Sequence, residues 1–409
     1  MGAGLRASKL GYIIYCALTK EGLLSPSKFK RLLTIAYEHM DRLTDPSFIG
    51  QSNHAYFQIH GLMALSQALP KRSSEKSSHS FIKAQLERLL LDQFGQEGMH
   101  LEHSPGYHIF SINTIRRMIR SGWYGDTNLK KIFRLASNNT NWLVFPDGTI
   151  SKSGDSEQGN HRYGFINKNS PIKRAKLFSE AGYAIVRGKS TEQNLRSMLF
   201  VTAGHHSNVH KHADDLSFEL YDKDRFWIVD TGKFSYSRLD WRRFTNSARA
   251  HNTIVYSSEA EDNGLRKVNP VGGMLQRLER SGGEWIIEGK VERPQLGVSH
   301  RRLFRYTPNR ILIVEDELLF DTPREFSSWL HLANDLEAHE EDGGWRLPGA
   351  RIAYEVEGAS LRLQRIRGQV DPELQGWVAK RYHEITPSDA LAVHMTGQAV
   401  RLVTTITFE

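Results

Sequence analysis

The sequence predicts an α+β chain of more than one domain: helical hairpins packed in series, then a large antiparallel β-sandwich. Three observations predict it. The chain has 409 residues, enough for more than one core. Up to about residue 144 its apolar residues recur at helical spacing. Beyond the turn-rich stretch PDGTISKSGDSEQGN the period changes from 3.6 to 2, in many short runs bounded by Gly, Asp, Asn and Pro.

The elements follow in order. Arg6 and Lys9 flank the start of GYIIYCAL, which resembles a weak export signal but lacks a small-x-small cleavage site, so it reads as a helix. Ser25-Pro26 reads as a cap with proline at the first helical position. Phe29, Leu32, Leu33, Ala36, Met40 and Leu43 then repeat on one face. Further helices are expected over about 53–69, 81–94, 107–120 and 129–144, joined by short loops. Strands are expected at 183–187, 198–203, 216–221, 226–230, 252–256, 285–291 and 311–318, with more through the C-terminal TTITFE. The boundary is placed near residue 172, giving domains 1–172 and 173–409.

Composition narrows the partners. No segment approaches 18 uninterrupted apolar residues, so no membrane span is expected. Lys and Arg outnumber Asp and Glu by 54 to 46, a net charge of +8 that favours anionic partners. No Lys/Arg run, zinc knuckle or RNP-like signature marks a nucleic-acid binder, and an acidic polysaccharide fits the charge. The single cysteine, Cys16, excludes an internal disulfide.

The stretch 209–253 carries the densest chemistry. His210 and His212 stand two apart on what reads as extended chain, which would turn both to one face. Asp230 closes the next strand and His251 opens a third. Two imidazoles and a carboxylate make a transition-metal set, most often for zinc, and the remaining histidine is left for proton chemistry. In the helical half, Asn53 and His54 start one helix, where free N–H groups favour an anion. Tyr107 and His108 start another, after the turn Ser104-Pro105-Gly106.

Together, SNHAYFQIHGL, EHSPGYH, PDG…GDS and HKHADDLSFEL…VDTG…RRFTNSARAHNT resemble the heparinase II/III-like polysaccharide lyases, over about residues 50–260. That resemblance implies an α/α toroid followed by a multilayered antiparallel β-sandwich. Only 52 residues precede Asn53, fewer than such a toroid usually carries, so an incomplete toroid is expected, one that could self-associate into a homo-oligomer. The implied reaction is β-elimination on uronic-acid-containing anionic glycans, heparan-sulfate-like or alginate-like. Asn53 and His54 would neutralise the uronate carboxylate, His210 would be the base for one C5 epimer, Tyr107 would protonate the leaving oxygen, and Tyr236 would assist.

His212, Asp230 and His251 match the family's ligands for zinc, in a structural role. Asp214 and Asp215 are candidates to orient the imidazoles. Arg242, Arg243 and Arg249, with His108, are candidate substrate-binding residues, and the arginines offer charge that lowers a tyrosine pKa. Two rivals remain open: an acidic-glycan-binding protein that keeps the fold without catalysis, and a zinc-dependent hydrolase. The resemblance implies a periplasmic or envelope protein, and the weak signal leaves the cytoplasm open.

Overall fold

The computed structural model of the chain describes residues 1–70, 76–157, 174–189, 195–204, 206, 209–237, 239–256 and 273–409. Two compact units emerge. One comprises Met1–Met99 with Ile109–Asn138, the other His100–His108 with Asn139–Glu409.

The first unit is built from α1 (Gly2–Thr19), α2 (Pro26–Leu43), α3 (His54–Ala68), α4 (Lys76–Gln93), most of α5 (Pro105–Arg120) and most of α6 (Leu129–Thr140). Ser25 occupies the N-cap of α2 with Pro26 at the first position, as the sequence indicated. The helix expected to reach 144 ends four residues early and finishes in a 3₁₀ turn, Asn141–Leu143. Leu62, Leu65, Leu86, Leu90, Ile115 and Leu129 form its core. Helices α1 and α3 meet backbone to backbone. A Cβ on Gly4 would stand 2.1 Å from the Phe57 carbonyl oxygen, and one on Gly61 would stand 2.3 Å from that of Gly4. Only residues without a Cβ permit this approach.

The second unit is mainly sheet. Its first strands are β1 (Ala175–Phe178), β2 (Tyr183–Lys189), β3 (Arg196–Thr202), β4 (Ser217–Asp222) and β5 (Arg225–Ile228), followed by helix α7 (Leu239–Asn246). Then come β6 (Ile254–Tyr256), β7 (Met274–Ser281), β8 (Glu284–Arg293), β9 (Val298–Thr307), β10 (Ile311–His331), β11 (His339–Glu341) and β12 (Gly344–Leu347). The last are β13 (Ala350–Glu357), β14 (Leu361–Arg367), β15 (Trp377–Arg381), β16 (Glu384–Pro387) and β17 (Asp389–Phe408).

Among the described residues, β1 to β5 form a five-stranded sheet in sequence order. A ten-stranded sheet runs β11-β12-β13-β17-β10-β9-β8-β7, with β14 beside β17 and β6 beside β10, while β15 and β16 pair alone. One apolar cluster draws on both larger sheets, with Val186, Leu199 and Phe218 from the first and Phe304, Leu312 and Ile406 from the second. This is the expected antiparallel sandwich.

Strand β9 alternates as a half-buried strand should, turning Val298, His300, Arg302, Phe304 and Tyr306 inward. Two of these are polar, and they are paired. Arg302 forks onto Asp316 at 2.6 and 3.0 Å, and His300 meets the same carboxylate at 2.6 Å. Burial alone would raise the Asp316 pKa, but Arg302 and His300 reverse this and hold it at about 2. Arg302 also donates to the carbonyls of Leu216 (2.9 Å) and Asn252 (2.7 Å). A core ion pair therefore tethers the two loops that carry His212 and His251.

The boundary expected near 172 falls among residues 158–173, outside the described residues. Segment 100–108, which periodicity assigned to the helical half, groups with the sandwich unit. No described helix is long and apolar enough to cross a membrane.

Candidate active site

Within the sandwich unit, loops far apart in sequence converge on one point. The backbones of His103 (φ 56°), Gly154 (φ 58°) and His210 (φ 58°) cross there in the left-handed region. A Cβ on Gly154 would lie 2.3 Å from the His103 carbonyl oxygen and 2.8 Å from that of His210. Two of the three are non-glycine residues in a sparsely populated conformation, which persists only where surrounding contacts fix it. Here those contacts are visible. Asp155 N–H donates to the His210 carbonyl at 3.2 Å. Ser156 Oγ lies 2.8 Å from Ser104 Oγ and accepts Gly106 N–H at 3.0 Å, while Tyr107 N–H donates to Ser104 Oγ at 3.2 Å. The GDS motif thus holds both the SPGYH turn and the HKH loop.

The left-handed His210 corrects one expectation. His210 and His212 do not sit on a pleated strand, because β4 begins only at Ser217. A carboxylate brings them together instead. Asp155 Oδ2 lies 2.9 Å from His210 Nδ1, and its Oδ1 lies 3.0 Å from His212 Nε2. Arg242, on α7, forks onto both oxygens, with Nη2 to Oδ2 at 3.0 Å. Tyr236 donates its hydroxyl to Oδ2 at 3.2 Å. Asp155 is only 3% exposed, and burial alone would raise its pKa. The contacts with His210, His212 and Arg242 hold it below the ordinary carboxylate range. An ionised carboxylate can only accept, so the imidazole nitrogens facing it carry protons.

Two phenols complete the cluster. The Tyr107 and Tyr236 hydroxyls are 2.9 Å apart, and the Tyr107 ring stacks on His210 with centroids 3.4 Å apart. Arg242 lies over the Tyr236 ring at 4.9 Å. On the opposite edge of the His210 ring, Nε2 is 3.4 Å from Glu102 Oε2. Burial pushes the Tyr107 pKa up, Asp155 and Glu102 add to it, and Tyr236 and Arg242 only partly offset it. Tyr236 is raised further, by burial and then by Asp155. Of the three arginines expected to lower a tyrosine pKa, Arg242 does act in that direction on both phenols, but burial outweighs it. Arg242 is committed to Asp155, Arg249 pairs with Glu373, and Arg243 is exposed with Asp240 at 3.9 Å. Burial thus favours the protonated form of both phenols.

Two family models cover nearly all of this chain. The heparinase II/III N-terminal model matches residues 3–161, and the heparinase II/III-like C-terminal model matches residues 171–408. The chain belongs to the heparinase II/III-like family. No curated protein matches it. Among solved structures, a heparinase III superposes with a TM-score of 0.79 at 16% identity, over 99% of this chain and 69% of the other. A heparan sulfate lyase from Pedobacter heparinus gives 0.73 at 15% identity, over 99% of this chain and 68% of the other. These likenesses establish a shared heparinase III fold.

The remaining residues singled out from the heparinase II/III resemblance are placed as follows. Asn53 is buried at the N-cap of α3 without a side-chain capping bond, and His54 beside it is exposed; both belong to the helical unit. His108 is 1% exposed, with Nδ1 accepting His100 N–H at 3.2 Å and Nε2 3.3 Å from Thr140 Oγ1, so it seats the turn from within. Asp214 and Asp215 do not orient the imidazoles by hydrogen bonding. Both accept from buried Lys211, and Asp215 also pairs with Arg293 at 2.8 Å.

His212, Asp230 and His251 are all buried, and the two imidazole centroids are 5.3 Å apart. Asp230 lies beyond the end of β5, where it accepts Gly232 N–H at 2.7 Å and contacts His251 Nδ1 at 2.7 Å. His251 precedes β6 rather than opening it. Among the described residues no group of three or more His, Cys, Asp or Glu side chains is arranged to hold a metal ion. The fit to zinc is thus partial: His212 Nδ1 and His251 Nε2 are buried without hydrogen-bond partners, while Asp230 is turned onto His251.

Asp155, the acceptor at the centre of this cluster, was not among the residues singled out in sequence, although the GDS motif flagged its neighbourhood. Nor was Asn252, which donates to the carbonyls of Phe218 (2.7 Å) and Val229 (2.9 Å) and accepts His331 N–H at 2.7 Å, fixing the loop beside His251.

Proposed function

We propose that this chain is a polysaccharide lyase cleaving uronic-acid-containing anionic glycans of the heparan-sulfate type by β-elimination. The observation that carries this reading is the cluster of Tyr107, Tyr236 and His210 around Asp155, in a heparinase II/III-like chain. β-Elimination needs a base at C5, charge relief on the uronate carboxylate and an acid at the departing O4. Raised pKa values keep Tyr107 and Tyr236 protonated, which suits the acid. His210 is the proposed base, acting through Nε2 because Nδ1 is engaged by Asp155. Asn53 and His54 are assigned the carboxylate by resemblance, donating hydrogen bonds that strengthen as it becomes enolate-like.

A zinc ion held by His212 and His251, with Asp230 orienting His251, belongs to the same reading. The two unpartnered buried imidazole nitrogens support it. Its contribution would be to fix the loops, and elemental analysis of the purified protein tests it. Export to the periplasm or envelope, also implied by the resemblance, is tested by fractionation.

The function itself is tested by incubating the protein with heparan sulfate, heparin, hyaluronan, chondroitin and alginate while following the ultraviolet absorbance of C4–C5 unsaturated uronate. Absorbance with a uronate glycan is expected. Glycan binding without product, or saturated product, refutes the lyase.

A further inference from the structure

We infer that Asp155 is a positioning residue of this site: its carboxylate fixes the proton of His210 on Nδ1 and so aims the opposite nitrogen, Nε2, at the substrate. This deepens the lyase reading and rests on it.

The argument begins with the hydrogen-bond account. A carboxylate offers about four lone-pair directions. Asp155 is saturated, accepting five contacts, one each from His210, His212 and Tyr236 and two from Arg242. The partners come from two stretches of chain far from Asp155, the HKH loop and the stretch that carries Tyr236 and Arg242, and a single side chain thereby sets their relative places. Nothing in this arrangement leaves Asp155 for the glycan. Its side chain is 2% exposed, and Arg242 and Tyr236 lie against it.

Orientation follows from the ring. Nδ1 lies 2.9 Å from an Asp155 oxygen that Arg242 also grips, whereas Nε2 lies 3.4 Å from Glu102 Oε2, so the shorter contact favours the Nδ1–H tautomer over the Nε2–H one. Stacking against Tyr107 prevents the ring from tilting. A neutral ring in this tautomer presents its lone pair at Nε2, on the edge away from Asp155. The backbone enforces the same geometry a second time. Asp155 N–H binds the His210 carbonyl, so the carboxylate and the imidazole are parts of two loops pinned to each other. An asparagine here would be nearly isosteric, yet it could offer N–H where the ring nitrogen needs an acceptor. It would also release Arg242 from its charge partner. Loss of a carboxylate that holds a catalytic histidine in the right tautomer costs about four orders of magnitude in the serine-protease triad.

The experiment uses the full-length protein. In wild type, nitrogen-15 imidazole spectra are expected to show His210 Nδ1 protonated, with its resonance assigned by its loss in His210→Gln. An unprotonated Nδ1 in wild type overturns the inference without any variant at this position. In Asp155→Asn, kcat is expected to fall by about 100-fold or more with KM within about threefold of wild type. The same spectra should show the Nδ1 proton redistributed. Wild-type kcat in folded Asp155→Asn overturns the inference while leaving the lyase reading intact. Absence of unsaturated product from wild type refutes the lyase reading, and the spectra still test Asp155's hold on His210. A merely structural Asp155 would lower the melting temperature and leave the His210 tautomer unmoved in the folded fraction, and that result also overturns the inference.

Discussion

Replacing Asp222 by asparagine should stabilise the protein at neutral pH, by an amount that disappears in acid. Asp222 ends β4 and is fully buried. Its Oδ2 accepts the Tyr306 hydroxyl at 2.5 Å and Asn309 N–H at 3.1 Å, while Oδ1 is buried without a partner. Burial raises its pKa from 3.8 to about 6, and these hydrogen bonds only partly resist the rise. A raised carboxyl pKa means that the folded state holds the proton more tightly than the unfolded state. Stability therefore falls as pH rises from about 4 to about 6, then levels off. The shift of about 2 units corresponds to roughly 3 kcal/mol at most, at 1.36 kcal/mol per unit. Asparagine keeps an oxygen for Tyr306 and Asn309 and removes the charge. We expect Asp222→Asn to gain about 1–3 kcal/mol at pH 7.5, or about 2–6 °C in melting temperature. Thermal melts of both proteins from pH 4 to pH 8 measure the difference directly, and other titrating groups cancel. A variant less stable than wild type at pH 7.5, or a difference that does not shrink toward pH 4, refutes the burial argument.

The fold was legible because periodicity survives in one sequence. The α2 face from Phe29 to Leu43 and the strand expected over 285–291 are local signals, and both elements formed where they were read, as α2 and β8. The contact of α1 with α3 was not legible, since it depends on Gly4 and Gly61 meeting across 57 residues of chain. In the site, the SPGYH and HKH motifs named Tyr107 and His210, whose rings the fold stacks on one another. The reason offered for the HKH loop was wrong, because a pleat was invoked where the backbone turns left-handed at His210. The acceptor that does the gathering, Asp155, carries no spacing signal relative to His210. It lies 55 residues away in a loop, and only the folded chain shows that one carboxylate serves four partners. The partners of the arginines were hidden for a related reason. Charge is visible in sequence, but whether Arg242 faces a glycan or an internal carboxylate is decided by packing.

Three further outcomes are expected. Tyr107→Phe should reduce elimination by at least about 100-fold in the absorbance assay with a melting temperature close to wild type, because it removes a proposed acid and one hydroxyl contact. Arg302→Met should cost about 3–5 kcal/mol in denaturant unfolding, since the buried Asp316 charge loses its guanidinium and keeps only the His300 imidazole. Adding Asp316→Asn should recover much of that loss, and simple additivity of the two variants would refute the pairing argument. Gly154→Ala tests the crossing of loops behind the site. A methyl there would meet two backbone oxygens that no rotamer change can move, at a φ of 58° that disfavours any Cβ. The loop must shift by several tenths of an ångström, and Asp155 is the next residue. The loss should therefore reach His210 and Arg242 together: kcat falls steeply and the His210 Nδ1 proton signal moves, whereas distant core contacts around Phe304 keep their hydrogen-exchange protection. An alanine variant with wild-type turnover would mean that the carboxylate does not depend on this crossing.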